Sequence, residues 1–198
     1  RTLQEQRAAS SVFGQASARI GDYGNKIEEA GQKIKGMGST LGSAVIGAGL
    51  YNAAKAAMSF KSEIQGIGPL LSEDGRITSQ VTQQLNQMSA SSLRWSKQYG
   101  ISTHEINSAM TELVRRGFTA NQTLGSMPAI LNASRASGES LGVVMQATAS
   151  SIEMFGLKAN TAAEQTKNTT RVTDVLTVAA NKTATSFADI AAAMTYVG

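Results

Sequence analysis

Large apolar residues recur at helical spacing along most of the chain, and the clearest repeat lies near its start. Ile20, Ile27, Ile34 and Leu41 follow one another at intervals of seven residues. This is the spacing of a coiled-coil seam, and these four residues are the predicted oligomerisation contacts. Glycines inside the same span weaken an isolated helix by about 1 kcal/mol each. Two interpretations stay open: a self-associating coiled coil, and one amphipathic helix packed on the rest of the chain.

A second pattern overlaps the end of this repeat. Residues 36–54 carry no charged side chain and include five glycines, of which Gly38 and Gly42 form a small-residue step suited to close helix packing. The stretch barely reaches the length of a membrane-spanning helix, which is about 20 residues. Its serine, threonine and asparagine residues also make its mean hydropathy poor. Membrane insertion and close helix packing are therefore alternative interpretations.

Turn-forming residues divide the chain into two regions. The sequence GIGPLLSEDG, residues 66–75, combines alternating glycines, a proline and an acidic turn, which is typical of a break between elements. The predicted domains are a helical, coiled-coil-like segment over residues 1–66, a linker over 67–77, and a helical core region over 78–198.

Capping signals predict several short helices in the core region. One helix begins at Thr78 and ends at Gly100, since glycine commonly ends helices. Pro128 predicts a kink or a short first helix in a later segment, because proline removes a backbone hydrogen bond. Two pairs of residues have the spacing of capping boxes: Ser102 with Glu105, and Thr119 with Gln122.

The last three predicted helices carry continuous apolar stripes. Ser140 caps the first of them and Gly156 closes it, while the final helix opens with Ser186 and Asp189. The predicted fold class is all-α, with a long N-terminal helix or coiled-coil-like segment followed by a bundle of short amphipathic helices. The predicted helix-packing residues lie on these stripes: Val144, Ile152, Phe155, Val175, Ile190 and Met194.

Two helix starts resemble each other. STHEINSAMT, from Ser102, and SFADIAAAMT, from Ser186, share a capping serine, an acid three residues later, and then Ile, Ala, Met and Thr at matching positions. The offset between them is 84 residues. Chance agreement between two capped helices and a true duplication are both compatible with this pattern.

Composition removes most catalytic chemistry. The chain has no cysteine, which excludes disulfides, thiolate zinc sites and cysteine nucleophiles. The one histidine, His104, stands at a helix start with no nucleophile predicted beside it, and the acidic residues are not clustered as metal ligands. We therefore predict no enzymatic activity, no metal and no cofactor. The net charge of +4 leaves nonspecific nucleic-acid binding open as an alternative function.

Four segments in order resemble a known family. They are the capped helix at residues 102–117, ASRASGESL at 133–141, MFGL at 154–157, and RVTDVLTVAANKTATSFADIAAAMTYVG at 171–198. Their order and spacing are similar to those of the conserved core region of phage tail tape measure proteins, over about half of the chain. The most specific parts are the Phe-Gly-Leu turn, the run from Asp174 to Ala180, and the ending DIAAAMTYVG.

The resemblance implies a structural role in a virion. A tape measure protein lies in several copies in the lumen of the growing tail tube, sets the tube length, and leaves through the tip at genome ejection. The implied partners are further copies of itself, the tail tube protein, tail tip or baseplate proteins and tail assembly chaperones, with assembly in the host cytoplasm. The host membrane and an end of the phage DNA are additional candidate partners. A membrane-active helical protein and a nonspecific nucleic-acid-binding protein are the alternative functions.

The two ends of the sequence favour a fragment of a longer chain. The first residue is Arg1, and the last apolar stripe reaches Val197 without a stop signal beyond a single glycine. We therefore expect further helices after residue 198.

Overall fold

The computed structural model describes residues 42–72, 74–183 and 185–197, with the backbone alone at 42–51, 53, 54 and 194–197. The seam predicted at Ile20, Ile27, Ile34 and Leu41 lies outside these ranges, and so does the first part of the uncharged stretch at 36–54. None of the helices in the described ranges combines the length and the apolar character needed to cross a bilayer.

The prediction of an all-α fold is confirmed, since the described residues contain helices and no strand. A 3-10 helix (Gly68–Leu71) lies between the first two α-helices. The α-helices are α1 (Gly42–Ile67), α2 (Ser79–Tyr99), α3 (Thr103–Arg115), α4 (Ala120–Ser137), α5 (Leu141–Met154), α6 (Ala162–Lys182) and α7 (Phe187–Val197).

The chain divides into two units, residues 1–61 and residues 62–198. In the first unit, the described residues belong to α1, and Met58 is 70% exposed there. The second unit begins in the last turns of α1, where Ile64 and Ile67 are buried. The predicted linker at 67–77 contains the 3-10 helix. Gly68 is buried there, and Pro69 stands in the first turn of this helix.

Local capping sets the ends of the helices as the sequence predicts. The hydroxyl of Thr78 accepts a hydrogen bond from the N–H of Val81, and Gly100 ends α2 in the left-handed conformation with φ of 64°. Both predicted capping boxes are formed, at the starts of α3 and α4. Each box satisfies two backbone N–H groups that the first helical turn leaves without a partner.

Helix α4 runs through Pro128 without a break. Of the two predicted outcomes, the short first helix is therefore wrong, and the kink stays a prediction. Proline removes one backbone hydrogen bond and costs about 3 kcal/mol in an isolated helix interior. Burial on both sides of the proline offsets this cost, since Met127, Ile130 and Leu131 are fully buried.

The helices of the second unit form a stack. In the part of the unit that the structure describes, every extensive contact joins helices that are neighbours in sequence or two positions apart. Thus α4 contacts α2 and α6, while α5 contacts α3 and α7, and the contact between α4 and α6 is the largest. Contacts limited to near neighbours are typical of repeat architectures, in which each element packs only on the next.

Two kinds of joint alternate along this stack. Helices α2 and α4 both end at a left-handed glycine, and the next helix is capped by a serine two residues later: Gly100 with Ser102, and Gly138 with Ser140. Helices α3 and α5 also end at left-handed glycines, Gly117 and Gly156. At these two joints, both the glycine N–H and the N–H of the next residue donate to carbonyls of the last helical turn.

The spacing of these joints defines a repeat of helix pairs. The serine caps of α3 and α5 are 38 residues apart, and the glycines that end these helices are 39 residues apart. Ser186, which caps α7, follows Ser140 by 46 residues, so the next interval is eight residues longer. The 84 residues between Ser102 and Ser186 thus span two helix pairs of unequal length, α3–α4 and α5–α6, and a duplication of the sequence stays a prediction.

The close approach of α4 and α6 gives a first testable prediction. A Cβ atom at Gly125 would collide with Oγ1 of Thr166, which hydrogen bonds to the carbonyl of Ala162. Overpacking of this kind costs about 1–3 kcal/mol, while replacing glycine by alanine in a helix gains about 1 kcal/mol. We expect Gly125→Ala to lower the free energy of unfolding, measured by urea denaturation.

The matched control is Gly142→Ala in α5, where the added methyl group has no heavy atom within 4 Å. Here only the helix propensity changes, so the variant should be stabilised by up to about 1 kcal/mol. Two variants that shift stability in the same direction would contradict the close approach of α4 to α6.

Candidate functional site

The turn between α5 and α6 is held by three amide side chains, which we call the amide clamp: Gln122, Gln165 and Asn168. The side-chain amide of Gln122 donates to the carbonyl of Ala159 at 2.7 Å, and the N–H of Ala159 donates to Oε1 of Gln165 at 2.8 Å. Asn168 donates to the carbonyl of Leu157 at 2.9 Å. Gln165 is fully buried and Gln122 is 4% exposed. Buried amides of this kind are costly to leave unpaired, so the clamp fixes the turn.

A polar seam continues from the clamp between α4 and α6. Ser126 and Thr169 share a hydrogen bond of 3.0 Å between their hydroxyl oxygens, both of them buried. Gly125, the residue before Ser126, lies against Thr166, which is about one turn before Thr169 on α6. Because the contacts advance in the same direction along both helices, α4 and α6 run parallel. Small and hydroxyl side chains let the two backbones approach closely.

A charged joint connects α3 with α5. Arg116 bonds to Glu112 through Nε at 3.2 Å and to Glu153 through Nη1 at 2.9 Å, and its side chain is 22% exposed. Lys158 donates to the carbonyl of Arg116 at 2.7 Å. A cation at the last carbonyls of α3 is also favoured by the helix dipole. The joint therefore ties the turn after α3 to the turn after α5.

Another polar network joins the end of α1 to α2 and α3. Glu63 accepts from Asn107 at 2.8 Å and lies 2.7 Å from Nδ1 of His104, while Ser92 donates to Asn107 at 2.6 Å. A shallow groove of about 300 Å³ runs beside Glu63 and Asn107. His104, which stands at the start of α3, is 74% exposed and paired with Glu63. Among the described residues, no three metal-ligating side chains lie close enough together to hold a metal ion.

The start of α7 carries a perturbed carboxyl group. Asp189 accepts from the backbone N–H of Ser186 at 2.9 Å and from its hydroxyl at 2.7 Å. These hydrogen bonds favour the charged form, and the backbone bond contributes most, so the pKa of Asp189 is lowered.

This shift gives a prediction of pH dependence. A carboxyl group whose pKa is lower in the folded state stabilises the fold above its unfolded pKa of about 3.9, and the contribution is lost as the pH falls through the folded pKa. We expect Asp189→Asn to unfold at a lower temperature than the natural chain at pH 6, and the difference should disappear in strong acid. A difference that stays constant between pH 6 and pH 2 would contradict this role.

The predicted packing residues fall into two groups. Val144 and Ile152 are fully buried, and Ile190 is half-buried. Phe155 and Val175 differ from the prediction, since they are 67% and 60% exposed. Phe155 follows the last turn of α5, where the chain leaves the buried face, and Val175 lies on a flank of α6. The side chain of Met194 lies outside the described residues.

The amide clamp was not predicted from the sequence. Gln122 was recognised only as part of a capping box, and it fills both roles, since its Oε1 accepts from the N–H of Thr119 while its amide donates to Ala159. The sequence does not predict a buried role for Gln165, because a glutamine among polar helix residues cannot be distinguished from a solvent-exposed one.

Most of the helical stack lies in a region of the chain that matches a known protein family. Residues 89–198 match the family described as phage-related minor tail protein, which is more than half of the chain. The chain belongs to this family. A tape measure protein of Pneumococcus phage Dp-1 is 28% identical over 179 residues, which cover 90% of this chain and 15% of that protein. No solved structure matches the chain. The expected relationship to tail tape measure proteins is thus confirmed, and it indicates a structural role in the phage tail.

Proposed function

We propose that this phage tail protein is part of a tape measure protein, a scaffold that sets the length of the tail tube and leaves through the tail tip during genome delivery. The observation that carries the proposal is the similarity, over 90% of the chain, to a protein named as a tape measure protein. Its role is structural rather than enzymatic. Its partners are further copies of itself, the tail tube protein, tail tip proteins and tail assembly chaperones.

Helix geometry assigns length measurement and packing to different parts of the protein. An extended helix rises about 1.5 Å per residue, so an extended segment converts chain length into distance. The helices of residues 62–198 pack on one another, so most of their residues add no distance along a tube. We assign packing within the tail to this unit and length measurement to extended parts of the protein, of which the predicted seam at residues 20–41 is one.

The test is the tail length in electron micrographs after insertion of nine heptads copied from residues 20–40. Whole heptads keep the seam in register, and 63 residues of continuous helix should lengthen the tail by roughly 95 Å. The matched control is an insertion of the same number of glycine and serine residues at the same place. A flexible chain of that length spans only about 45 Å, so the tail should lengthen less. Tails of unchanged length with the heptad insertion would refute the measuring role of this segment.

A further inference from the structure

Two exposed valines mark an open flank at the end of the stack. Val175 is 60% exposed and Val178 is 50% exposed, both on α6. On the same helix, Thr166 and Thr169 contact α4. Val175 and Val178 each follow one of these threonines by nine residues, which is a rotation of about 180° at 3.6 residues per turn. The valines therefore lie on the flank of α6 that points away from α4.

The regularity of the stack identifies what belongs on this flank. After α3, the next helix in the chain is α4, which packs beside α2; after α5, the next helix is α6, which packs beside α4. Helix α7 packs beside α5, as α5 packs beside α3. By the same rule, the helix that follows α7 would pack beside α6, on the flank that carries the valines.

We propose that this flank, formed by Arg171, Asp174, Val175, Val178 and Lys182, is the docking surface for the helix that follows α7 in the full-length protein. We call it the valine flank. The proposal does not depend on the measuring role, since it concerns only how the stack of helix pairs continues. The chain spans 15% of the length of its tape measure relative, so related proteins have ample chain to supply such a helix.

Charge argues for this occupant over a second copy of the same surface. Pairing two valine flanks antiparallel, with Val175 of each copy on Val178 of the other, would set Arg171 opposite Lys182 of the second copy. Like charges placed opposite each other across an interface are destabilising. The expected occupant is an amphipathic helix with small or branched apolar residues against the valines and carboxylates facing Arg171 and Lys182.

The 198 residues contain no cysteine, so an introduced thiol is the single labelling site in this chain. Any cysteine in the added part of a longer chain is replaced by serine. Val178→Cys is introduced into the 198-residue chain and into a longer chain that continues along the phage gene through the next predicted helix. The rate of maleimide labelling is then compared. We expect at least a tenfold slower reaction in the longer chain, because the occupant covers the thiol.

The matched control is Asn86→Cys on α2, an exposed position on a helix at the other end of the stack. Its labelling rate should be the same in both chains. Equal rates for Val178→Cys in the two chains, or a gene with no helix after α7, would overturn the proposal. Protection in the 198-residue chain that increases with protein concentration would overturn it in favour of a second copy.

Discussion

Ile152→Ala is expected to lower the free energy of unfolding by about 2–5 kcal/mol. Ile152 is fully buried in α5, and its carbonyl accepts the N–H of Leu157 at 2.8 Å in the joint that ends the helix. Removing three carbon atoms there loses burial energy and leaves a cavity that the surrounding helices fill only in part. Urea denaturation followed by circular dichroism measures the change, with an unchanged m-value showing that the fold is retained.

The control for Ile152→Ala is Phe155→Ala, three residues further along the same sequence stripe. Phe155 is 67% exposed, so its truncation should change stability by no more than about 0.5 kcal/mol. A loss of less than about 1 kcal/mol for Ile152→Ala would contradict the buried position. A large loss for Phe155→Ala would support the packing role that the sequence predicted for it.

This pair of residues shows what periodicity can and cannot predict. The apolar stripe correctly placed a helix over α5, because a spacing of three and four residues follows from the helix itself. It could not predict where the buried face stops, since burial depends on neighbouring helices. Phe155 directly follows the last turn of α5, where the chain leaves the helix, and Val175 lies on a flank that only the arrangement of α4 and α6 defines.

The sequence pattern could not predict the succession of helix pairs, for a related reason. Its recurring features are few: a left-handed glycine ends α2 and α4 and a serine caps the helix after each, while α6 ends at Thr183 without a glycine. The core residues between them differ, because each position needs only an apolar side chain of suitable size. Capping chemistry is local and could be predicted correctly, whereas the pairing of α4 with α6 depends on contacts between residues about 40 positions apart.

The second large effect is expected at Gln165, in the amide clamp. Gln165→Ala removes the acceptor of the Ala159 N–H at 2.8 Å and leaves a cavity at a fully buried position. A buried donor without a partner costs about 1–3 kcal/mol, and the cavity adds to this, so we expect a loss of about 2–5 kcal/mol in urea denaturation.

Gln165→Leu separates the two causes of that loss. Leucine restores most of the volume but supplies no acceptor, so this variant should recover the cavity part and keep a loss of about 1–3 kcal/mol. The control is Gln146→Ala, an exposed glutamine on α5. It should change stability by no more than about 0.5 kcal/mol. If Gln165→Leu were as stable as the natural chain, the hydrogen bonds of Gln165 would contribute nothing net, and its role in holding the turn between α5 and α6 would be burial alone.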